Sequence, residues 1–405
     1  MTAAVEFRHV DILFPAAQAT RGKRESMRRA LELLDSGLPR MQIVERTGIV
    51  VGVADACLSV EPGEISVLMG LSGSGKSTLL RAANGLNTVT RGQVLVGNAS
   101  GDTVDVAACD RARLRQVRRQ RIAMVFQQFA LLPWRTVREN VGLGLELRGV
   151  APAERQRIVD EKLALVGLQD WADRYASELS GGMQQRVGLA RAFATEADIL
   201  LMDEPFSALD PLIRTKLQDE LLMLQRQVRK TILFVSHDLD EALKLGNRIS
   251  ILESGRIVQT GTAQDIVLRP IDDYVAEFVR HMNPLTVLTG GMVMRAHDEL
   301  IREGEHLWLD AARRYRVTLD SRGACCAVRV DGVESAFTYH DQMASGAGPS
   351  GGLVIASVTL PLHRLIQLRQ LSGHPVLLAD DGVFSGVCDE YEIVCALAGK
   401  SARPS

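Results

Sequence analysis

Between about residues 50 and 280, short runs of branched apolar residues alternate with longer stretches of helical periodicity. The runs "EISVLMG", "IAMVFQ", "DILLMDE", "TILFVSHD" and "RISILESG" hold few polar positions, as parallel strands buried on both faces do. Between them, "KSTLLRAANGL", "VGLARAFATE" and "RTKLQDELLMLQRQVRK" read as helices. That alternation predicts an α/β domain with helices on both faces of its sheet. An earlier run, "VEFRHVDILF", predicts one more strand. Residues 15–50 then interrupt with two helical segments, "RESMRRALELLDSG" and "LPRMQIVERTGI". Past "RPIDDYVAEFVRHMNP" the chain turns to elements punctuated by Gly- and Ser-rich loops, including "SGAGPSGG" (345–352). The predicted boundary is Asn283–Pro284, dividing the chain into 1–283 and 284–405.

At 405 residues the chain has room for two or three domains, and 46% hydrophobic with 24% charged residues suits a globular protein. No apolar run approaches the ~18–20 residues that span a bilayer. "MTAAVEFRHV" lacks the basic start and apolar stretch of a signal peptide, so none is expected. Six cysteines without CxxC spacing, with Cys325 and Cys326 adjacent, argue against zinc and fit reduced thiols in a cytosol. A net charge of −2 proposes no nucleic-acid partner. The basic runs "RGKRESMRR" (21–29) and "RARLRQVRRQR" (111–121) read more simply as solvated charge than as phosphate stripes.

The chemistry concentrates in a few motifs. "GLSGSGKST" (70–78) follows a strand and opens a helix, the context in which GxxxxGK[ST] cradles phosphates. Backbone N–H groups of Gly70, Ser72, Gly73, Ser74 and Gly75 can curl around a polyphosphate, and Lys76 can reach its outer end. The Ser77 hydroxyl can ligate Mg²⁺, with Thr78 beside it. "DILLMDEP" (198–205) ends a strand in two carboxylates that divide the work. Asp203 would hold Mg²⁺ and Glu204 would polarise the attacking water as general base. His237, closing "TILFVSHD", can donate to a γ-phosphate, and Gln127 of "MVFQQF" can touch both Mg²⁺ and water. "ELSGGMQQRV" (178–187) has no nucleophile–base pair. Alone it reads as a helix capped by Ser180, with glycines easing the turn.

Taken in order, the P-loop, "FQQ", "LSGGMQQR", "LLMDEP", "SALD" (207–210) and His237 resemble an ATP-binding cassette (ABC) ATPase over roughly residues 5–280. The resemblance implies ATP and Mg²⁺ as cofactors and a head-to-tail homodimer. Ser180, Gly181, Gly182 and Gln184, in a helical subdomain of about 128–190, would then meet the γ-phosphate bound by the other copy. Asp210, ending "SALD", would make contacts across the same interface. An adenine-stacking aromatic falls by position on Phe14, although the insertion at 15–50 leaves a core Phe equally open. One cassette with no fused span implies an importer or exporter subunit on the cytoplasmic face of the membrane. Its partners would be a permease and, indirectly, a substrate-binding protein.

The insertion before "GVADACLSVEPGEI" is similar to that of quaternary-ammonium importers, with choline expected over glycine betaine because the C-terminal region departs from the betaine type. "LPRMQIVERTGI" resembles half of a helix-turn-helix without a recognition helix. In the tail, "PLHRLIQLRQLSGHPVLLADDGVFSGVCDEYEIVCALAG" reads helix, strand, turn, strand, helix. It resembles a cystathionine-β-synthase-type (CBS) module, with a weaker copy expected around 310–343. Asp389 stands where such modules carry a nucleotide-contacting hydroxyl, so a structural or dimerising role is expected there. Finally, "QQFALLPWRTVRE" gathers Phe129, Leu131, Leu132 and Trp134 in a connector, which predicts a cleft for a short permease helix.

Overall fold

The structure, a computed structural model, describes residues 3–15, 23–97, 101–126, 130–195, 197–207, 209–280, 285, 288–304, 306–342 and 352–398. The chain divides into two compact units, Met1–Ala263 and Gln264–Ser405. The predicted boundary at Asn283–Pro284 lies outside the described residues. Gln264 already bonds within the second unit, its amide donating to the Met292 carbonyl at 2.8 Å.

The first unit opens with β1 (Val5–Pro15), α1 (Lys23–Asp35), α2 (Arg40–Thr47), β2 (Ile49–Val60), β3 (Ile65–Met69) and α3 (Lys76–Ala82). It continues through β4 (Arg91–Gly97), β5 (Thr103–Asp105), α4 (Arg111–Gln120), β6 (Ile122–Val125), α5 (Val137–Leu147), α6 (Pro152–Leu165) and α7 (Gly181–Ala194). It closes with β7 (Ile199–Asp203), α8 (Pro211–Val228), β8 (Thr231–Val235), α9 (Leu239–Leu245), β9 (Arg248–Glu253) and β10 (Arg256–Gly261).

All five predicted parallel strands share one sheet, in the order β9-β3-β8-β7-β6, with β10 antiparallel at its edge. Every residue of β3, β7 and β8 is buried, which is why these runs hold few polar positions. A second, antiparallel sheet of order β2-β1-β4-β5 escaped the sequence reading except for β1. Phe7, Val10 and Ile12 of β1 pack with Leu68, Leu79, Leu80 and Leu233 in one core, so the two sheets close on each other. Helices α5, α6 and α7 pack together, burying Val141, Leu145, Val159, Leu163 and Val187.

The insertion is the connection of an antiparallel pair. Phe14 lies opposite Val50 and Pro15 opposite Ile49, so β2 returns beside the strand that entered the insertion. Ile43 of α2 and Ala30 and Leu34 of α1 pack on Leu13, Ile49, Val51 and Ala54, fixing both helices to that pair.

In the second unit, Leu362–Ser372, Val376–Asp380, Val383–Cys388 and Glu390–Leu397 follow the predicted helix, strand, turn, strand, helix order. The weaker copy expected around 310–343 is a correction. From Ile301 to Ser335 the chain forms a five-stranded antiparallel meander, and Phe337–Tyr339 joins the other sheet. Alternating residues of that meander, Tyr315, Val317 and Val328, enter a core shared with Leu353, Leu377 and Val387, so strand periodicity prevails. Asp389 stands at the start of the last helix, its N–H donating to Glu392 Oε2 at 3.0 Å and its carboxylate accepting from Arg369 Nε at 2.5 Å. Among the described residues no helix is long and apolar enough to cross a membrane.

Candidate active site

The turn from β3 to α3 requires glycine at two places. Gly70 has φ 141° and Gly75 φ 102°. A Cβ on Gly70 would fall 2.1 Å from the Leu252 carbonyl oxygen, and one on Gly75 would fall 2.5 Å from that of Gly52. Ser74 N–H donates to the Leu71 carbonyl at 3.1 Å, tightening the loop. Lys76 is buried, and its Nζ donates to the Gly70 and Leu71 carbonyls at 2.8 and 3.0 Å. Burial pushes its ammonium below the usual lysine range, opposed by the charges of Glu204 and Asp203. Among the described residues no carboxylate forms an ion pair with Lys76, and a polyphosphate would supply that anionic partner.

Behind the loop, Ser77 Oγ donates to Asp203 Oδ1 at 2.6 Å, and Arg81 Nη2 donates to Asp203 Oδ2 at 2.8 Å. Asp203 is fully buried, and these two partners offset its desolvation. One residue further on, Glu204 adopts φ 47°, in the left-handed region. Its Oε2 lies 3.2 Å from His237 Nδ1, linking the ends of β7 and β8.

Phe14, Ser72, Gly73, Gly75, Lys76, Ser77, Thr78, Glu204 and His237 line one cavity of about 580 Å³, joined by Arg40, Val50 and Gly52. Phe14 reaches it because the antiparallel register of β1 and β2 cancels the length of the insertion. Gly52 leaves room for its ring, since a Cβ there would lie 2.8 Å from Phe14 Cε2. Gly70 and Ser74 support the loop without lining the cavity. Ser180, Gly181, Gly182, Gln184 and Asp210 are not among its lining residues either. Ser180 is exposed and caps α7 by accepting from Met183 N–H, while Asp210 caps α8 by accepting from Ile213 N–H at 3.0 Å. Gln184 donates to the Ala176 and Leu179 carbonyls at 3.1 and 3.2 Å. Gln127 lies outside the described residues.

Residues 53–207 match the family model described as ABC transporter. The chain is 47% identical over 324 residues to the glycine betaine/proline betaine transport system ATP-binding protein ProV of Escherichia coli, covering 78% of this chain and 80% of that protein. The chain belongs to the ABC transporter family. ProV of Salmonella typhimurium is 52% identical over 67% of this chain and 66% of its own length. The glycine betaine/carnitine transport ATP-binding protein GbuA of Listeria monocytogenes is 39% identical over 94% of this chain and 96% of its own. The dimeric structure of MJ0796, a bacterial ABC transporter cassette, superposes with a TM-score of 0.54 at 29% identity, covering 64% of this chain and 98% of that one.

As an ABC ATPase the chain uses ATP with Mg²⁺, and its donor set fits that ion. The Ser77 hydroxyl and the Asp203 carboxylate offer hard oxygen ligands side by side, with Arg81 holding the far carboxylate oxygen. No motif named Arg81, yet it stands one turn after Ser77 on α3, a spacing that sets both on one face. The motifs also passed over Gln185 of this ABC ATPase. Its Nε2 lies 3.4 Å from the Glu204 carbonyl oxygen, tying the signature helix to the carboxylate's backbone. Gln185 shares the buried face of α7 with Leu189 and Ala192, a periodicity visible in the sequence. Arg40 had no such signal.

Proposed function

We propose that this chain is the ATP-hydrolysing subunit of an importer for glycine betaine or a related quaternary ammonium solute. The observation that carries the reading is the convergence of Lys76, Ser77, Glu204 and His237 on one cavity flanked by Phe14. Adenine stacks on Phe14, while the loop amides and Lys76 hold the phosphates. Ser77, Asp203 and Gln127 hold Mg²⁺, which when bound neutralises charge on the outer phosphates. Glu204 takes the proton of the attacking water, and His237 contacts the γ-phosphate and orients Glu204 through their hydrogen bond.

Two copies pair head to tail, so that Ser180, Gly181, Gly182 and Gln184 of one copy meet the γ-phosphate held by the other. The exposed start of the 14-residue helix α7 supports this arrangement, because its N–H groups face outward with a positive dipole end. Asp210 sits at the same interface. A permease docks beside half-buried Leu132 and Trp134, and the 71% exposure of Trp134 suits a contact surface, while a substrate-binding protein delivers the cargo. The subunit is peripheral, on the cytoplasmic face of the membrane. The ATPase domain assigned to 1–283 has Met1–Ala263 as its compact unit. For 284–405 we assign a structural or dimerising role, supported by the pairing of Asp389 with Arg369 rather than with a free anion site.

The cargo rests on the relatives, whose names specify glycine betaine, proline betaine and carnitine. A narrower preference for choline rests only on the divergence of the C-terminal region. Affinity purification of the chain from its native membranes should retain a polytopic permease, and the purified assembly in vesicles should take up labelled glycine betaine on ATP addition. Recovery without a permease, with ATPase activity indifferent to membranes and solute, would favour a non-transport ABC ATPase instead.

A further inference from the structure

The insertion does more than lengthen the hairpin. Arg40 is the first residue of α2, and its Nη1 donates to the Gly73 carbonyl oxygen at 2.9 Å. That carbonyl belongs to the peptide whose N–H, on Ser74, donates to Leu71. The Gly73–Ser74 peptide of the phosphate loop is therefore held at both ends, once by the loop itself and once by the insertion. Arg40 also lines the cavity shared by Phe14, Lys76, Glu204 and His237. Among the described residues no carboxylate forms an ion pair with it. Its position is fixed from behind. Ile43, one turn along α2, is fully buried against Leu13, Ile49 and Val51, and Gly48, with φ 67°, turns the chain directly into β2.

We propose that Arg40 is a nucleotide-binding residue contributed by the insertion, a second cation that with Lys76 binds the polyphosphate of the nucleotide. This rests on the reading of the cavity as the ATP site. An arginine suits the task because its planar fork can keep one N–H on the loop carbonyl while another faces a phosphate oxygen. Lys76 is committed to the inside of the loop, whereas Arg40 approaches from the insertion side. The two charges therefore act on the phosphates from different directions. Because Arg40 meets groups already present in the bound nucleotide, it contributes to affinity and leaves the chemical step to Glu204.

The test measures ATP and ADP affinity of the full-length chain by titration calorimetry for wild type and for Arg40→Gln, Arg40→Lys and Lys76→Ala. Arg40→Gln retains a donor for the Gly73 carbonyl but no charge, so it should weaken binding about tenfold, the scale of one charge-assisted hydrogen bond. Arg40→Lys restores the charge and should recover most of that loss. KM for ATP should rise in Arg40→Gln by about the factor by which affinity falls, and return towards wild type in Arg40→Lys. The salt dependence of affinity should be shallower in Arg40→Gln. Wild-type affinity in Arg40→Gln would overturn the proposal and leave Arg40 as a brace of the loop. An equal loss in Arg40→Gln and Arg40→Lys would overturn it too, because charge would then not be the active property. Lys76→Ala separates the two levels. If it alone loses affinity, the cavity reading stands and the Arg40 proposal falls; if even Lys76→Ala binds normally, the cavity reading itself is wrong.

Discussion

Glu204 occupies a backbone conformation that few non-glycine residues adopt, and its neighbours hold it there. Its N–H donates to the Val235 carbonyl at 3.1 Å, while its own carbonyl accepts from Ser207 Oγ at 3.0 Å and from the Gln185 amide. Such a residue is over-determined, as strained positions in functional sites commonly are. The carboxylate is thereby aimed at His237 and into the cavity rather than back along β7. Glu204→Gln keeps the shape and removes the base, so ATP binding should persist while hydrolysis slows by ~10²–10⁴-fold. The variant should accumulate as an ATP-bound dimer in size-exclusion chromatography. Lys76→Ala should instead lose nucleotide affinity, since on the proposed reading Lys76 meets phosphate in the ground state. Wild-type turnover in Glu204→Gln would remove Glu204 from the mechanism.

Elements matter here through how they present residues to the sheet's carboxyl edge. The helix α9 begins after His237 and its cap Asp238, and its first turn carries Glu241, which is buried. Ser236 Oγ donates to Glu241 Oε2 at 2.6 Å and Gln218 Nε2 donates to Oε1 at 3.0 Å. Burial raises its carboxyl above the usual range, and the two hydrogen bonds only partly oppose that. The folded chain thus holds this proton more tightly than the unfolded chain does. Stability from this group is present below the ordinary carboxylate value and is lost as pH rises through the raised one. Glu241→Gln removes the titration, so the fall in thermal midpoint on going from about pH 5 to pH 7 should be shallower than in wild type. Identical slopes would show that Glu241 titrates alike in both states.

At the scale of the whole molecule, the proposed head-to-tail pairing would make the site a shared one. Ser180 stands exposed at the start of α7 and outside the cavity lined by Lys76, so under that proposal each chain would offer two halves of different sites. Mixing Ser180→Arg chains with Lys76→Ala chains should place both lesions at one interface and leave the other intact. Such mixtures should recover ATP-dependent pairing and part of the ATPase activity that neither variant shows alone. No recovery in mixed dimers, verified by differential tags, would count against head-to-tail assembly. Coupling to a permease is tested at the connector before α5. Asn140, fully buried, donates through Nδ2 to the Leu132, Arg135 and Thr136 carbonyls and accepts from Leu132 N–H. It fixes the loop while Trp134 stays exposed. Replacing Leu132 and Trp134 together with Ala should leave basal ATPase nearly intact and abolish its stimulation by permease and binding protein. Normal uptake in that double variant would place the coupling surface elsewhere.

The parallel sheet, its phosphate loop and its paired carboxylates were legible in the chain because each is local. A strand buried on both faces must be apolar throughout, a loop that wraps phosphate must be rich in glycine, and both leave contiguous marks. The antiparallel sheet β2-β1-β4-β5 was largely illegible, because its pairing partners lie far apart and its strands mix buried with exposed positions. Phe14 shows the difference most directly. From the sequence it was the adenine-stacking candidate by position, with a core Phe equally open because the insertion separates it from the P-loop. Only the return of β2 alongside β1 brings it to the cavity, since hairpin register depends on strand pairing and not on the length of what lies between. Arg40 and Gln185 belong to the same class. Nothing in their own segments marks them as neighbours of Gly73 and Glu204. Their contacts exist because Ile43 packs α2 on the β1–β2 pair and because the buried face of α7 turns Gln185 toward the end of β7, and packing of distant segments is decided only when the chain has folded.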